Sequence, residues 1–341
     1  MGETSTKTKI TSNHGDSCSA FGLQNRIQIN MLLLGEILAV IYIGGIAKVA
    51  GLTGTAYVLF PELGALSYDI FARPKGTWAR APLMLVVTPV LTAVVGVLIE
   101  QNMTYGFLSV FLCVLSALLI IKWLNSPIAP AISAGLIPIA LSQGSWWYPV
   151  SIAFGTALLA ACSIFYRRIF AKAINGMPSP PGDAEDNMTE QPPGQYLWLP
   201  FFVVFLLLEI LLVKITGLRF ILFPPLVVIG FEMFAHAEVC PWAGKPILLC
   251  IACIITAAAG VETVSALGTG PVAAILTVVF GVVVVRIFKL HIPPVVAVGL
   301  LPFVLDHPDF WFPVAVGAGT LILAVTFILY RKVAVWKGTA S

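Results

Sequence analysis

Apolar runs of about twenty residues recur along the whole chain, and they limit its possible folds more than any other feature. A run of this length can cross a bilayer only as a helix or in a closed barrel, because hydrocarbon offers no partner to free backbone groups. The runs lack the alternating polarity of barrel strands. Since 59% of the residues are hydrophobic and 10% are charged, we predict an all-α, polytopic integral membrane protein with the lipid bilayer as its first partner.

Polar stretches divide the chain into five regions. Residues 1–30 form a predicted polar N-terminal tail, and residues 333–341 form a C-terminal tail. A linker at 169–196 begins basic and then becomes rich in Pro, Gly and acidic residues, which is typical of a solvated segment. The linker separates two predicted membrane regions, 31–168 and 197–332.

These two membrane regions align with each other as an internal repeat. A shift of 164 positions pairs residues 78–168 with 242–332 without a gap. Upstream, a shift of 163 pairs "LFPELGALSYDIF" with "LFPPLVVIGFEMF", so that Glu62 meets Pro225. Other matched positions are Pro61 with Pro224, Pro130 with Pro294 and Gly135 with Gly299. The duplication predicts two homologous halves of one bundle.

Each half is predicted to contain six apolar segments, about twelve in all. In both halves the second and fifth segments are short for a full crossing and are interrupted by Pro and Gly, as in "LFPELG" and "SPIAPAISAGLIP". The sequence does not decide whether these short segments cross or re-enter. In the first half the segments lie near 31–50, 54–71, 82–99, 105–123, 127–141 and 147–166.

Most Lys and Arg side chains fall on one side of the membrane if every segment crosses and the N-terminus is cytoplasmic. Lys214 and Arg219 are the exceptions. The opposite face then carries the aromatic clusters "SWWYP" and "DFWFP", which are typical of interfacial belts. We therefore predict that both termini are cytoplasmic.

The four interrupted segments indicate where a solute could bind. A break in a membrane helix is tolerated where protein or a water-filled cavity satisfies the backbone, and paired breaks in two repeats point to a transport site. Short helices starting after Pro61, Pro130, Pro225 and Pro294 would direct their N-termini at a small anion. Ordinary proline kinks are the alternative. The candidate substrate-binding residues are Pro61, Glu62, Gly64, Ser126, Pro130, Ser133, Gly135, Pro224, Pro225, His291, Pro293, Pro294 and Gly299.

Three carboxylates are candidates for proton coupling. Glu62 has no acidic counterpart in the second half, so it would either carry a proton or cap the helix that follows it. Glu36 and Glu209 lie inside the first segments of their halves and would each need a partner or a proton. Asp69 is expected to pair at the interface with a basic residue such as Arg73.

Several other functions find little support in the sequence. The net charge of +3 gives no argument for nucleic acid. No catalytic motif is present, and Cys250 and Cys253 lie in an apolar helix without a second ligand pair. We predict no enzymatic activity, no metal and no cofactor. A homo-oligomer is compatible with the sequence. An integral-membrane enzyme or accessory subunit for a lipid-type substrate, and a membrane scaffold or assembly factor, remain alternatives.

Several motifs together resemble the HPP family of membrane proteins, which is named for a His-Pro-Pro motif. They are "LFPELGALSYDIF" followed by "ARPKGTWARAP", a Pro-rich segment entry with "GLIP" or "GLLP", and an aromatic-Pro segment start. The resemblance covers nearly the whole chain as two copies. It implies transport of a nitrite-like anion, since some members are reported as nitrite transporters of chloroplasts and cyanobacteria. Neither copy has a contiguous motif, because the sequence reads "HIPP" and "SPIAP", so only His291, Pro293 and Pro294 carry it over.

Overall fold

The computed structural model describes residues 13–177, 193, 196–289 and 292–336, and within these residues every regular element is a helix. Short 3-10 turns cover Ala56–Val58, Arg219–Ile221 and Leu301–Val304. The α-helices are α1 (Asn13–Thr53), α2 (Glu62–Ala72), α3 (Thr77–Arg80), α4 (Pro82–Asn102), α5 (Phe107–Leu124), α6 (Ala131–Leu141), α7 (Trp147–Ile169), α8 (Ala171–Gly176), α9 (Trp198–Thr216), α10 (Pro224–Ala235), α11 (Pro246–Leu267), α12 (Pro271–Ile287), α13 (Pro293–Leu300) and α14 (Trp311–Trp336).

Seven of these helices are long and apolar enough to cross a membrane: α1 over Ile29–Thr53, α4, α5, α7, α9, α11 and α14. Helix α12 is also apolar and has 17 residues. The outer faces of the long helices carry exposed apolar side chains such as Leu119, Leu211 and Leu321. So large an apolar surface is typical of contact with lipid tails. The expectation of an all-helical chain with the makeup of a multi-pass membrane protein is confirmed.

Four short helices occupy the interior of the bundle. Nearly every residue of α2, α6, α10 and α13 is buried. Helix α2 packs against α13, α13 against α10, and α10 against α6, while the long helices surround them. The irregular backbone next to these short helices is therefore enclosed by protein, as the cost of free peptide groups in lipid demands.

The starts of the short helices agree only in part with expectation. Helix α2 begins directly after Pro61, and α6 begins directly after Pro130, as predicted. The prediction that the other two begin after Pro225 and Pro294 is wrong, because α10 already begins at Pro224 and α13 at Pro293. Proline is accommodated in the first turn of a helix, where its missing N–H group would have no intrahelical partner.

The predicted terminal and linker regions are described only in part. Helix α1 begins at Asn13, so residues 13–30 of the predicted polar tail belong to this helix. The predicted linker at 169–196 begins with the end of α7 and the short helix α8. Within these regions, residues 1–12, 178–192, 194–195 and 337–341 lie outside the described part of the chain.

Two pairs of glycines allow helices to cross at very short distance. A Cβ atom added to Gly96 of α4 would lie 2.0 Å from the carbonyl oxygen of Gly135 in α6. A Cβ atom added to Gly260 of α11 would lie 2.1 Å from the carbonyl oxygen of Gly299 in α13. No side chain fits at either crossing. Close approach of this kind is how small residues promote helix packing within membranes.

Pro138 and Pro302, near the ends of α6 and α13, are accommodated differently. Pro138 lacks the N–H group that would bond to the Ala134 carbonyl, and the Tyr148 hydroxyl donates to that oxygen instead, at 2.8 Å. Helix α6 therefore continues to Leu141. Near Pro302, α13 instead ends at Leu300 and the chain tightens into a 3-10 turn. An external hydroxyl preserves the helix in the first case, and backbone rearrangement satisfies the carbonyls in the second.

Candidate functional site

Glu62 lies in the first turn of α2 and is fully buried, with 0% of its surface exposed. Neither of its carboxylate oxygens has a hydrogen-bond partner in the described part of the chain. An ionised carboxylate without a partner is costly in such surroundings, so a buried group of this kind is retained only where it has a role or carries a proton. Its place at the N-terminal end of α2 partly offsets this cost, because the helix dipole is positive there.

Ser133 supplies a second unpartnered polar group beside Glu62. It is the third residue of α6, it is fully buried, and its hydroxyl has no hydrogen-bond partner among the described residues. The hydroxyl lies within interaction range of the Glu62 carboxylate, although the two groups do not form a hydrogen bond. The first turns of α2 and α6 thus bring two unsatisfied polar side chains together inside the bundle.

The peptide that leads into α6 is held by hydroxyl groups of α4. Thr88 donates to the Ser126 hydroxyl oxygen at 2.7 Å, and Ser126 in turn accepts from the Ile128 backbone N–H at 3.3 Å. Thr92 donates to the Ala131 carbonyl at 2.6 Å. The candidate residue Ser126 is therefore engaged in positioning the start of α6. The two threonines were missed by sequence reasoning, since a threonine in an apolar helix gives no signal of its partner.

One tyrosine lies near Glu62, and a second tyrosine packs on the first. Tyr148 of α7 is buried, lies within electrostatic range of Glu62, and has its hydroxyl committed to the Ala134 carbonyl. The partly exposed Tyr57 meets it edge to face, with ring centroids 6.0 Å apart. Sequence reasoning assigned the "SWWYP" cluster that contains Tyr148 to an interfacial belt and missed this position.

The other candidate prolines and glycines are buried where the interior helices pack. A Cβ atom added to Gly64 would lie 2.5 Å from the Leu300 side chain, which fits the contact between α2 and α13. Gly135 and Gly299 lie at the two close helix crossings. The candidate prolines lie at the starts of the four short helices, namely Pro61, Pro130, Pro224, Pro225, Pro293 and Pro294. His291 lies outside the described residues.

The candidate Glu36 and the carboxylate of Asp69 are both paired with arginine. The Glu36 carboxylate of α1 accepts a hydrogen bond of 2.8 Å from the Arg286 guanidinium of α12, so this pair ties two helices together. Asp69 pairs with Arg73 one helical turn away, at 3.4 Å, which is the interaction expected for it. These two carboxylates have arginine partners, whereas the Glu62 carboxylate has no hydrogen-bond partner among the described residues.

Glu209 belongs to a different part of the bundle. It is fully buried in α9, and its carboxylate oxygens have no hydrogen-bond partner within the described ranges. It lies within electrostatic range of Tyr105, whose ring stacks on the Arg219 guanidinium at 4.3 Å. Burial raises the pKa of the Tyr105 phenol to about 12, against the opposing effect of the Arg219 charge. Arg219 also donates to the Ile139 carbonyl at 3.2 Å and lines a cavity of about 290 Å³.

The described residues contain no group of three or more His, Cys, Asp or Glu side chains that could hold a metal ion. Comparisons with protein-family models, with curated proteins and with solved structures give no match to the chain. The function is therefore inferred from the geometry of the site itself.

Proposed function

We propose that the chain transports a small anion together with a proton, through a site at the first turns of α2 and α6. The observation that carries this proposal is the juxtaposition of Glu62 and Ser133, which are both fully buried and lack hydrogen-bond partners among the described residues. A soluble core would pair such groups or replace them. In a membrane bundle, ionisable groups that face the interior mark the paths of ions and protons.

The proposed coupling follows from charge. The N-terminal ends of α2 and α6 favour negative charge, and the ionised Glu62 carboxylate supplies that charge itself. An anion that approaches is then repelled by a like charge in a medium of low polarity. When Glu62 takes up a proton, the repulsion disappears and both the carboxylic acid and the Ser133 hydroxyl can donate to the anion. One proton would therefore accompany each anion.

We further propose that the bundle consists of two homologous halves with six segments each. Two series of elements support this. Helices α1, α2, α4, α5, α6 and α7 run in the same order as α9, α10, α11, α12, α13 and α14, and their lengths are similar except that α1 is much longer than α9. The close crossing of α4 with α6 resembles that of α11 with α13. Helix α2 packs on α13, and α10 packs on α6, as a two-fold relation between the halves would require.

The class of anion rests on the resemblance to the HPP family, which makes nitrite the natural probe. We also propose, from the distribution of Lys and Arg, that both termini face the cytoplasm. Neither the orientation nor the anion class is needed for the proposed coupling, which depends only on the Glu62 and Ser133 pair.

Uptake of nitrite into proteoliposomes tests the proposal. An inward proton gradient should drive accumulation by the wild-type chain, after subtraction of the passive entry measured in protein-free liposomes. Glu62→Gln keeps the shape of the side chain but cannot exchange a proton, so gradient-driven uptake should fall by about tenfold or more, which is the factor expected for about 1.4 kcal/mol. Ser133→Ala should also lower uptake. The matched control is Ser163→Ala, which removes a buried hydroxyl in a different helix, α7.

Full gradient-driven uptake by Glu62→Gln would refute the proposed coupling. Thermal unfolding of each purified variant in detergent should show that the fold is retained. The comparison of Ser133→Ala with Ser163→Ala separates a local effect at the site from a general effect of losing a buried hydroxyl.

A further inference from the structure

We infer that the chain holds a single anion site, in its first half, and that the matching place in the second half is an apolar packing copy. This inference rests on the proposed function and on the two homologous halves proposed with it. It concerns the number of sites per chain and the residues that decide it.

Four positions around the proposed site lose their polar atoms in the second half. Under the sequence alignment of the halves, the pairs are Glu62 with Pro225, Ser133 with Ala297 and Tyr148 with Phe312. Continuing the shift of 163 two residues upstream of Leu59 adds Tyr57 with Phe220. Three of these changes remove a hydroxyl and keep the rest of the side chain or most of it. The fourth removes the carboxylate and introduces a proline in the first turn of α10.

The scaffold around these positions is similar although its chemistry differs. Phe220 and Phe312 meet edge to face with ring centroids 5.7 Å apart, and Tyr57 and Tyr148 do so at 6.0 Å. Ala297 is fully buried in α13, as Ser133 is in α6. At these four positions the second half therefore repeats the shape of the site without the carboxylate and the hydroxyl groups of the first half.

The backbone of the second half also needs no polar side chain at this place. In the first half the Tyr148 hydroxyl satisfies the Ala134 carbonyl. In the second half the Leu301 N–H donates to the carbonyl of Val298, which aligns with Ala134, as the helix changes to a 3-10 turn. Because the chain satisfies this carbonyl itself, Phe312 can replace the tyrosine without leaving the carbonyl unpaired.

Two polar side chains near this place in the second half have to be weighed separately. Arg219 adjoins Phe220 and lines a cavity with Phe220 and Phe312, but its guanidinium donates to the Ile139 carbonyl and stacks on the Tyr105 ring, so it is held by residues of the first half. Thr277 of α12 has a buried hydroxyl without a partner in the described residues, and its methyl group lies 3.1 Å from a Cβ atom added to Gly299. It aligns with Cys113, whose sulfur lies 3.0 Å from a Cβ atom added to Gly135. Both side chains therefore pack behind the crossing glycines, and Thr277 provides no carboxylate to pair with a proton.

The number of sites can be measured by titrating the purified full-length chain with nitrite in detergent, by isothermal calorimetry. We expect one nitrite per chain. Ser133→Ala should weaken nitrite binding by about tenfold, because it removes one hydrogen bond to a charged group. A tenfold change in affinity corresponds to about 1.4 kcal/mol. Thr277→Val, which removes a buried hydroxyl in the second half, should leave both the affinity and the stoichiometry unchanged.

Two nitrite ions per chain would overturn the single-site inference, and so would a loss of affinity in Thr277→Val equal to that in Ser133→Ala. Either result, with proton-driven uptake intact, leaves the transport proposal standing. Absence of nitrite binding to the wild-type chain, together with absence of uptake, would instead overturn both. Circular dichroism and thermal unfolding of each variant distinguish a change at the site from loss of the fold.

Discussion

Removal of the Tyr148 hydroxyl tests the central feature of α6, namely that a side chain replaces the backbone donor missing at Pro138. In Tyr148→Phe the Ala134 carbonyl loses its 2.8 Å hydrogen bond and remains buried. A buried acceptor left unsatisfied costs about 1–3 kcal/mol, or a factor of roughly 5 to 150 in the folding equilibrium. The variant should therefore unfold at a clearly lower temperature than the wild type.

Tyr166 provides a matched control on the same helix. It is buried in α7 as Tyr148 is, but its hydroxyl has no hydrogen-bond partner in the described part of the chain. Tyr166→Phe removes a polar atom that gains nothing from the fold, so stability should stay unchanged or rise. Thermal and denaturant unfolding in detergent, followed by tryptophan fluorescence, would rank the two variants. Equal loss in both would contradict the assignment.

A double-mutant cycle with Pro138→Ala makes the test specific. Alanine at this position restores an N–H group that can donate to the Ala134 carbonyl within the helix. Tyr148→Phe should then cost less in the Pro138→Ala background than in the wild type, with a coupling energy of about 1–2 kcal/mol. An identical cost in both backgrounds would refute the reasoning, because the hydroxyl would then be stabilising something other than the carbonyl that the proline leaves free.

Two further predictions concern helix packing. Gly96→Ala and Gly260→Ala place a Cβ atom 2.0 Å and 2.1 Å from a facing carbonyl oxygen, so each should destabilise the chain by about 1–3 kcal/mol or more. Gly45→Ala should leave stability unchanged, because no atom lies within 4 Å of the added Cβ. Unfolding in detergent compares the three variants. Arg286→Met leaves the largely buried Glu36 without its partner and should lower stability. The double variant Arg286→Met with Glu36→Gln should recover much of the lost stability. No recovery in the same unfolding assay would contradict the pairing.

Local sequence patterns predicted much of the architecture. Apolar length identified membrane helices, since crossing hydrocarbon requires about twenty apolar residues. Proline identified two helix starts correctly at Pro61 and Pro130, because its fixed backbone angle and missing N–H act locally. The error at α10 and α13 has the same origin: when two prolines adjoin, either can occupy the first turn, and the sequence does not choose between them.

The candidate site was predicted in part. Glu62 and Ser133 were both named from the sequence, because they lie in interrupted segments of otherwise apolar runs. Their approach to each other was not predicted, and neither were the roles of Tyr148 and of the threonines of α4. Under the proposed alignment of two halves, Tyr148 pairs with Phe312, and this difference is the sequence signal that could have identified the tyrosine hydroxyl.

By itself, the sequence determined that this chain is helical, apolar on its outer faces and interrupted at four places, since hydropathy and proline act over a few neighbouring residues. Only the tertiary structure decided which carboxylates are paired and which are not. Glu36 meets Arg286 from a helix 250 residues away, while Glu62 meets no such partner among the described residues. The charge that neutralises a buried group comes from whichever segment packs against it, and that choice depends on how all the helices fit together.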